Sequence, residues 1–232
     1  MYLLPVATTV LSFVFFAILI KDFLRRTHTS YMFWFAAGMA AYGAGAFAES
    51  IHSLSGFNAF NFKLWYISGA LAGGWALVTG LLYLILKKKT ADILMLIGAA
   101  YILVAAVYTF LSPVSIIPDG ERLNGSAFEW EFIRPMTRVV HLYSFVLLTG
   151  AAFFSAFQYS KSSKFKTRFL GILIITIGGL LPGFGKSHSN MDINTMFYVT
   201  ELAGLLLIFA GSLVLKNDNE AVVKSYHANI NS

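Results

Sequence analysis

Four ionisable side chains interrupt otherwise apolar runs of the chain: Glu49, His52, His141 and Glu201. An ionised group inside an apolar span costs roughly 2.5–3.5 kcal/mol on insertion scales, so such residues point to a function. Glu49 and His52 are three positions apart and share a helix face. Arg134, Arg138 and His141 share a face further along, and Tyr198 lies one turn before Glu201. Two imidazoles and two carboxylates form a donor set for zinc, and the carboxylates also suit manganese or iron. His52 and His141 on separate segments are the minimum for bis-histidine ligation of a b-type haem. The same groups can hold and release protons, because imidazole titrates near neutrality and burial shifts a carboxyl upward.

Several chemistries follow. A metal held by Glu49, His52, His141 and Glu201 with an open coordination position would activate water, making the protein a membrane-embedded hydrolase with Ser68 as a further participant. The Glu-x-x-His spacing also occurs in di-iron helical bundles, which need two such motifs and extra carboxylates; one occurs here. A haem would draw Arg134 and Arg138 to its propionates. Without a cofactor, Glu49–Arg138 and Glu201–His141 would be ion pairs that orient helices, as in a structural accessory subunit, or form a proton-linked switch. The leading expectation is an outward-facing polar site for a metal ion, protons or a small ligand in a sensor, carrier or accessory subunit. Glu49, His52, His141 and Glu201 line it, assisted by Arg138, Ser68 and Tyr198. These residues leave open whether the protein is an enzyme.

Such a site needs elements that cross a membrane. Of 232 residues, 57% are hydrophobic and 12% charged, against about a quarter charged in soluble domains. Seven apolar runs, 3–20, 31–54, 60–86, 91–111, 135–159, 169–185 and 194–215, are close to the ~17–25 residues that span the hydrocarbon as a helix. They lack the period-two alternation of barrel strands. The expected fold is therefore all-α: a polytopic seven-transmembrane-helix bundle. The first run lacks the basic start and small-residue cleavage site of a signal peptide and is kept as a helix.

Lys21, Arg25 and Arg26, then Lys87–Lys89, then Lys161, Lys164, Lys166 and Arg168, then Lys216 and Lys224 follow runs one, three, five and seven. Basic loops favour the cytoplasm, which predicts the N-terminus outside and the C-terminus inside. The formal charge of +6 thus marks topology rather than nucleic-acid binding. The implied partner is the lipid bilayer, with a membrane complex or homo-oligomer open. With no cysteine, disulfide exchange and thiolate metal sites are excluded.

The bundle is expected over 1–216, with an extracytoplasmic loop at 112–133 and a disordered polar tail at 217–232. The loop starts with turn signals and ends in Phe128-Glu129-Trp130-Glu131-Phe132, either a lid over the bundle mouth or an interfacial aromatic anchor. His188 and Asp192 in a later outer loop are further candidates for the chamber mouth. Glycines at 38, 43, 45, 69, 73, 74, 178, 179, 204 and 211 allow close helix packing.

The order of spans resembles rhodopsin-like seven-helix proteins, but run seven has no mid-membrane lysine for a retinal Schiff base; Lys216 sits at its cytoplasmic end. It also resembles ceramidase-like membrane hydrolases in its N-out order and in the histidine ending run two, yet it lacks their pair of histidines in run seven. That activity is not carried over. The chain is most similar to bacterial seven-helix membrane proteins without an assigned activity, through Lys63-Leu-Trp-Tyr-Ile-Ser-Gly-Ala70 and Tyr198-Val-Thr-Glu-Leu-Ala-Gly204. This resemblance implies a bacterial cytoplasmic membrane.

Overall fold

A computed structural model describes residues 3–27, 29–116, 123–184 and 193–230. They form seven long helices: α1 (Leu3–Asp22), α2 (Ser30–Ser55), α3 (Ala59–Ile85), α4 (Lys88–Leu111), α5 (Ile133–Lys161), α6 (Lys166–Phe184) and α7 (Ile193–Ile230). No strand occurs among the described residues.

Local chemistry sets the boundaries. Gly56 stops α2 at φ 78°, a left-handed conformation that favours glycine, and its N–H returns to the His52 carbonyl. Two residues on, the Asn58 side chain accepts from the Asn61 N–H at 3.0 Å and caps α3. The turn between α2 and α3 is therefore tight. In α3 the run Tyr66–Gly73 is π-helical. Its wider turn is tolerated where glycine and alanine leave room, and such segments often occur at functional sites. The helical run of α7 continues to Ile230, beyond the expected boundary at 216.

Six helices make a ring. α1 packs on α2 and α7, α2 on α3, α3 on α5, α5 on α6, and α6 on α7. α4 lies outside this ring against α3 and α5, and only 11% of its apolar window is buried within the protein. Phe15 of α1 stacks on Phe209 of α7 with centroids 3.7 Å apart, joining the first and last helices. The core continues through Phe35, Leu81, Ile172 and Leu205. Where α6 crosses α7, a Cβ on Gly178 would stand 2.7 Å from the Gly204 carbonyl oxygen, so only hydrogen fits between these backbones.

Six of these helices are long and apolar enough to cross a membrane; α2 is not among them. The seven-span expectation counted α2 by its length. Its sequence is diluted by glycine, alanine, Glu49, Ser50, His52, Ser53 and Ser55, and mean hydropathy falls accordingly. Its position offsets the loss, because α2 is flanked by α1 and α3 and buries residues along most of its length.

Contacts between distant segments gather the basic turns at one end. Lys216 at the end of the α7 span is 2.6 Å from Asp22 at the end of α1. Arg168 at the start of α6 donates to the Leu84 carbonyl at the end of α3. Lys161 and Lys166 flank the adjoining α5–α6 turn. At the opposite end, Lys63 of α3 donates to the Phe110 carbonyl of α4 at 2.7 Å.

Candidate functional site

The four interrupting side chains divide into two settings. Glu49 and His52 are buried in α2, with 2% and 7% of their surface exposed. The Tyr198 hydroxyl of α7 donates to Glu49 Oε1 at 3.1 Å, and the Phe57 ring meets His52 edge-on at 6.5 Å. Neither residue lines the large cavity of the bundle. His141 and Glu201 do, together with Arg134 and Arg138.

That space is a cavity of about 1140 Å³ walled by α2, α3, α5, α6 and α7. α6 contributes Gly178, Gly179 and Pro182 to this wall, although none of the expected site residues lies on it. The cavity is polarised along its length. Toward the α4–α5 loop it is bounded by Arg134, Arg138, His141, Glu201, Tyr66 and Asn124. Further in, its wall is Met39, Leu77, Leu148, Leu205 and Ile208. Arg134 and Leu148 are 14 positions apart on one helix, so the wall runs about 21 Å at 1.5 Å per residue.

The π-helical turn places Tyr66 at this wall, where its hydroxyl oxygen accepts from Thr137 Oγ1 of α5 at 2.6 Å. Arg134 donates through Nε to the Gly125 carbonyl at 3.1 Å and through Nη2 to the Ser126 carbonyl at 3.0 Å. It thereby holds the loop across the cavity mouth. The loop is anchored by Phe128, 2% exposed, whose ring sits 4.8 Å from Phe62 and 4.7 Å from Tyr66. Its aromatic stretch does two jobs: Phe128 plugs into the bundle, while Phe132 stacks on Trp130 at 5.6 Å beside Tyr108.

Arg138 lines the same wall and makes no hydrogen bond or ion pair with a described residue. The expected Glu49–Arg138 pair is not formed: Glu49 turns to Tyr198 of α7, and Arg138 faces a cavity that Glu49 does not line. A shallower groove of about 510 Å³, lined by Glu131, Phe132, Arg134, Pro135 and Arg138, shares both arginines with the cavity. Ser144, 8% exposed, lines the cavity with an Oγ that has no hydrogen-bond partner among the described residues.

Among the described residues, no group of three or more His, Asp or Glu side chains is gathered to hold a metal. Glu49, His52, His141 and Glu201 were grouped by matched depth; Glu49 meets Tyr198, while His141 and Glu201 line the cavity. For haem, His52 does not line the space that His141 lines, so the two imidazoles do not bracket a common void. Ser68 Oγ donates to the Leu64 carbonyl at 2.6 Å and is occupied by its own helix rather than turned to the cavity. His188 and Asp192 lie outside the described residues. Tyr42, overlooked in the sequence, lines the cavity and donates to the Glu201 carbonyl at 3.2 Å. The only hint was its place as a large residue among the small ones of α2.

No family model matches the chain, and no curated protein or solved structure matches it either.

Proposed function

We propose that the chain is a seven-span membrane protein of the bacterial cytoplasmic membrane that binds a small ligand in the cavity, as a carrier, sensor or ligand-dependent accessory subunit. Its basic end faces the cytoplasm and the α4–α5 loop faces outward. The gathering of Lys216 and Arg168 with the ends of α1 and α3 supports this orientation, since basic turns are retained inside. α2 crosses as the seventh span by sheltering its polar residues against neighbouring helices.

One observation carries the binding reading: on the wall of a large cavity stands an arginine, Arg138, with no ion pair among the described residues. The volume exceeds the ~300–1,000 Å³ of ordinary small-molecule sites, and a few polar groups converge on an otherwise apolar lining. The test is native mass spectrometry of the full chain released from mild detergent, beside Gly69→Leu. Gly69 lines the cavity, and a Cβ there meets the Gly45 Cα at an ordinary 3.8 Å, so the variant puts bulk at the cavity wall. The wild type is expected to retain a non-peptide mass that the folded variant loses. An identical bare mass for both proteins would overturn the reading.

A further inference from the structure

We propose that the cavity takes an amphiphile with an anionic head, a carboxylate or a phosphate, with the head at Arg138 and the chain along the apolar depth below. The inference rests on the binding role proposed for this cavity and narrows it to a ligand class.

Charge selects the sign of the head. Among the described lining residues two guanidinium groups, Arg134 and Arg138, stand against one carboxyl, Glu201. Arg134 commits Nε and Nη2 to the loop carbonyls of Gly125 and Ser126. Arg138 makes no hydrogen bond or ion pair with a described residue, and its planar fork matches the two oxygens of a carboxylate or phosphate. Ser144 Oγ, one and a half helical turns further in, adds a hydroxyl with no hydrogen-bond partner among the described residues.

The lining selects the rest of the molecule. Below the arginines the wall turns to Met39, Leu77, Leu148, Leu205 and Ile208. A bare inorganic anion would satisfy Arg138 and leave that depth unfilled. A neutral lipid would fill the depth and leave the charge unmatched. An anionic amphiphile does both, because burying a chain gains about 0.8 kcal/mol per methylene.

The outer groove supplies a route. It shares Arg134 and Arg138 with the cavity and is bordered by Phe132, whose stack with Trp130 belongs at the head-group level of a bilayer. A head group moving from that level into the bundle therefore passes from one side of Arg138 to the other without losing its countercharge.

The experiment uses the full chain in neutral detergent and measures retention of radiolabelled palmitate. Palmitate is competed with hexadecyl phosphate, hexadecanol or inorganic phosphate, and Arg138→Gln and Gly69→Leu are run in parallel with circular dichroism confirming their fold. Saturable palmitate binding is expected, weakened about tenfold by Arg138→Gln and abolished by Gly69→Leu. Displacement by hexadecyl phosphate but not by hexadecanol supports the anionic head. The tighter of palmitate and hexadecyl phosphate identifies a fatty-acid or a phospholipid-type source. Equal displacement by hexadecanol with no effect of Arg138→Gln overturns the anionic head yet leaves the cavity a binding site. Displacement by inorganic phosphate alone overturns the amphiphile. Absence of binding by every probe, with a retained mass of another chemistry in native mass spectrometry, overturns this inference only; absence of both overturns the binding role too.

Discussion

Tyr198 and Glu49 join the last helix to the second through one hydrogen bond, 3.1 Å long, across 149 positions of sequence. Glu49 is 2% exposed, so its carboxyl is satisfied by protein donors, Tyr198 among them, rather than by bulk water. Loss of a partner to a buried polar group costs about 1–3 kcal/mol, and more where the group is charged. Tyr198→Phe is expected to lower the thermal unfolding midpoint in detergent, and Glu49→Gln, which keeps an acceptor, to lower it less. Equal midpoints for wild type and Tyr198→Phe would show that the bond contributes nothing.

Arg134 and Arg138 are one helical turn apart and hold different jobs. Arg134→Ala removes two charge-assisted bonds to the loop carbonyls of Gly125 and Ser126, each typically about 1.5–3 kcal/mol. Amide exchange over 123–129 should accelerate at least tenfold in that variant and stay at the wild-type rate in Arg138→Ala. Matching acceleration in both would mean that the loop is held by general charge rather than by Arg134.

Glycines of the bundle separate into those that cannot carry a methyl group and those that can. A Cβ on Gly204 would lie 2.6 Å from the Gly178 carbonyl oxygen, whereas one on Gly150 meets nothing within 4 Å. Gly204→Ala is expected to destabilise by about 1–3 kcal/mol as the helices are forced apart. Gly150→Ala should be neutral or slightly stabilising, since alanine is the better helix former. Chemical denaturation in mixed micelles reads both, and a neutral Gly204→Ala would rule out the close α6–α7 crossing.

The chain has no cysteine, so each introduced thiol reports alone. Ser126→Cys in the α4–α5 loop should react with a membrane-impermeant maleimide on intact cells. Ser163→Cys in the α5–α6 turn should react only after lysis. The reverse pattern inverts the proposed orientation, and labelling of both on intact cells removes the α5 span between them.

The helices were legible in the sequence, since apolar run length alone marks them. The polar face Arg134, Arg138 and His141 was legible too, through helical spacing. What spacing cannot supply is which neighbour each side chain meets. Glu49 continues the stripe of Gly38, Tyr42 and Gly45 that faces the cavity, yet it bonds Tyr198 of α7, and neither it nor His52 lines the wall that His141 and Glu201 line. The metal and haem expectations came from grouping these four by depth alone. Mean hydropathy sets α2 apart from the other six helices, and its neighbours shelter its polar residues. The π-helical turn at Tyr66–Gly73 left no mark beyond its small residues, because a wider turn is chosen by packing with α5, through Tyr66 and Thr137, rather than by propensity.

The closure of the ring by α1 and α7 has a consequence for the order of events at the ribosome. Asp22 and Lys216 are 194 positions apart, and the stack of Phe15 on Phe209 likewise waits for the final span. Until α7 is inserted, the nascent protein holds α1 and α6 as two unmatched flanks of an open trough, with Leu205 and Ile208 still missing from its wall. The compartment is therefore complete only once α7 has joined α1. A chain arrested before α7 would leave that trough open to the surrounding lipid, an unfinished surface of the kind that quality-control proteases and insertion chaperones recognise.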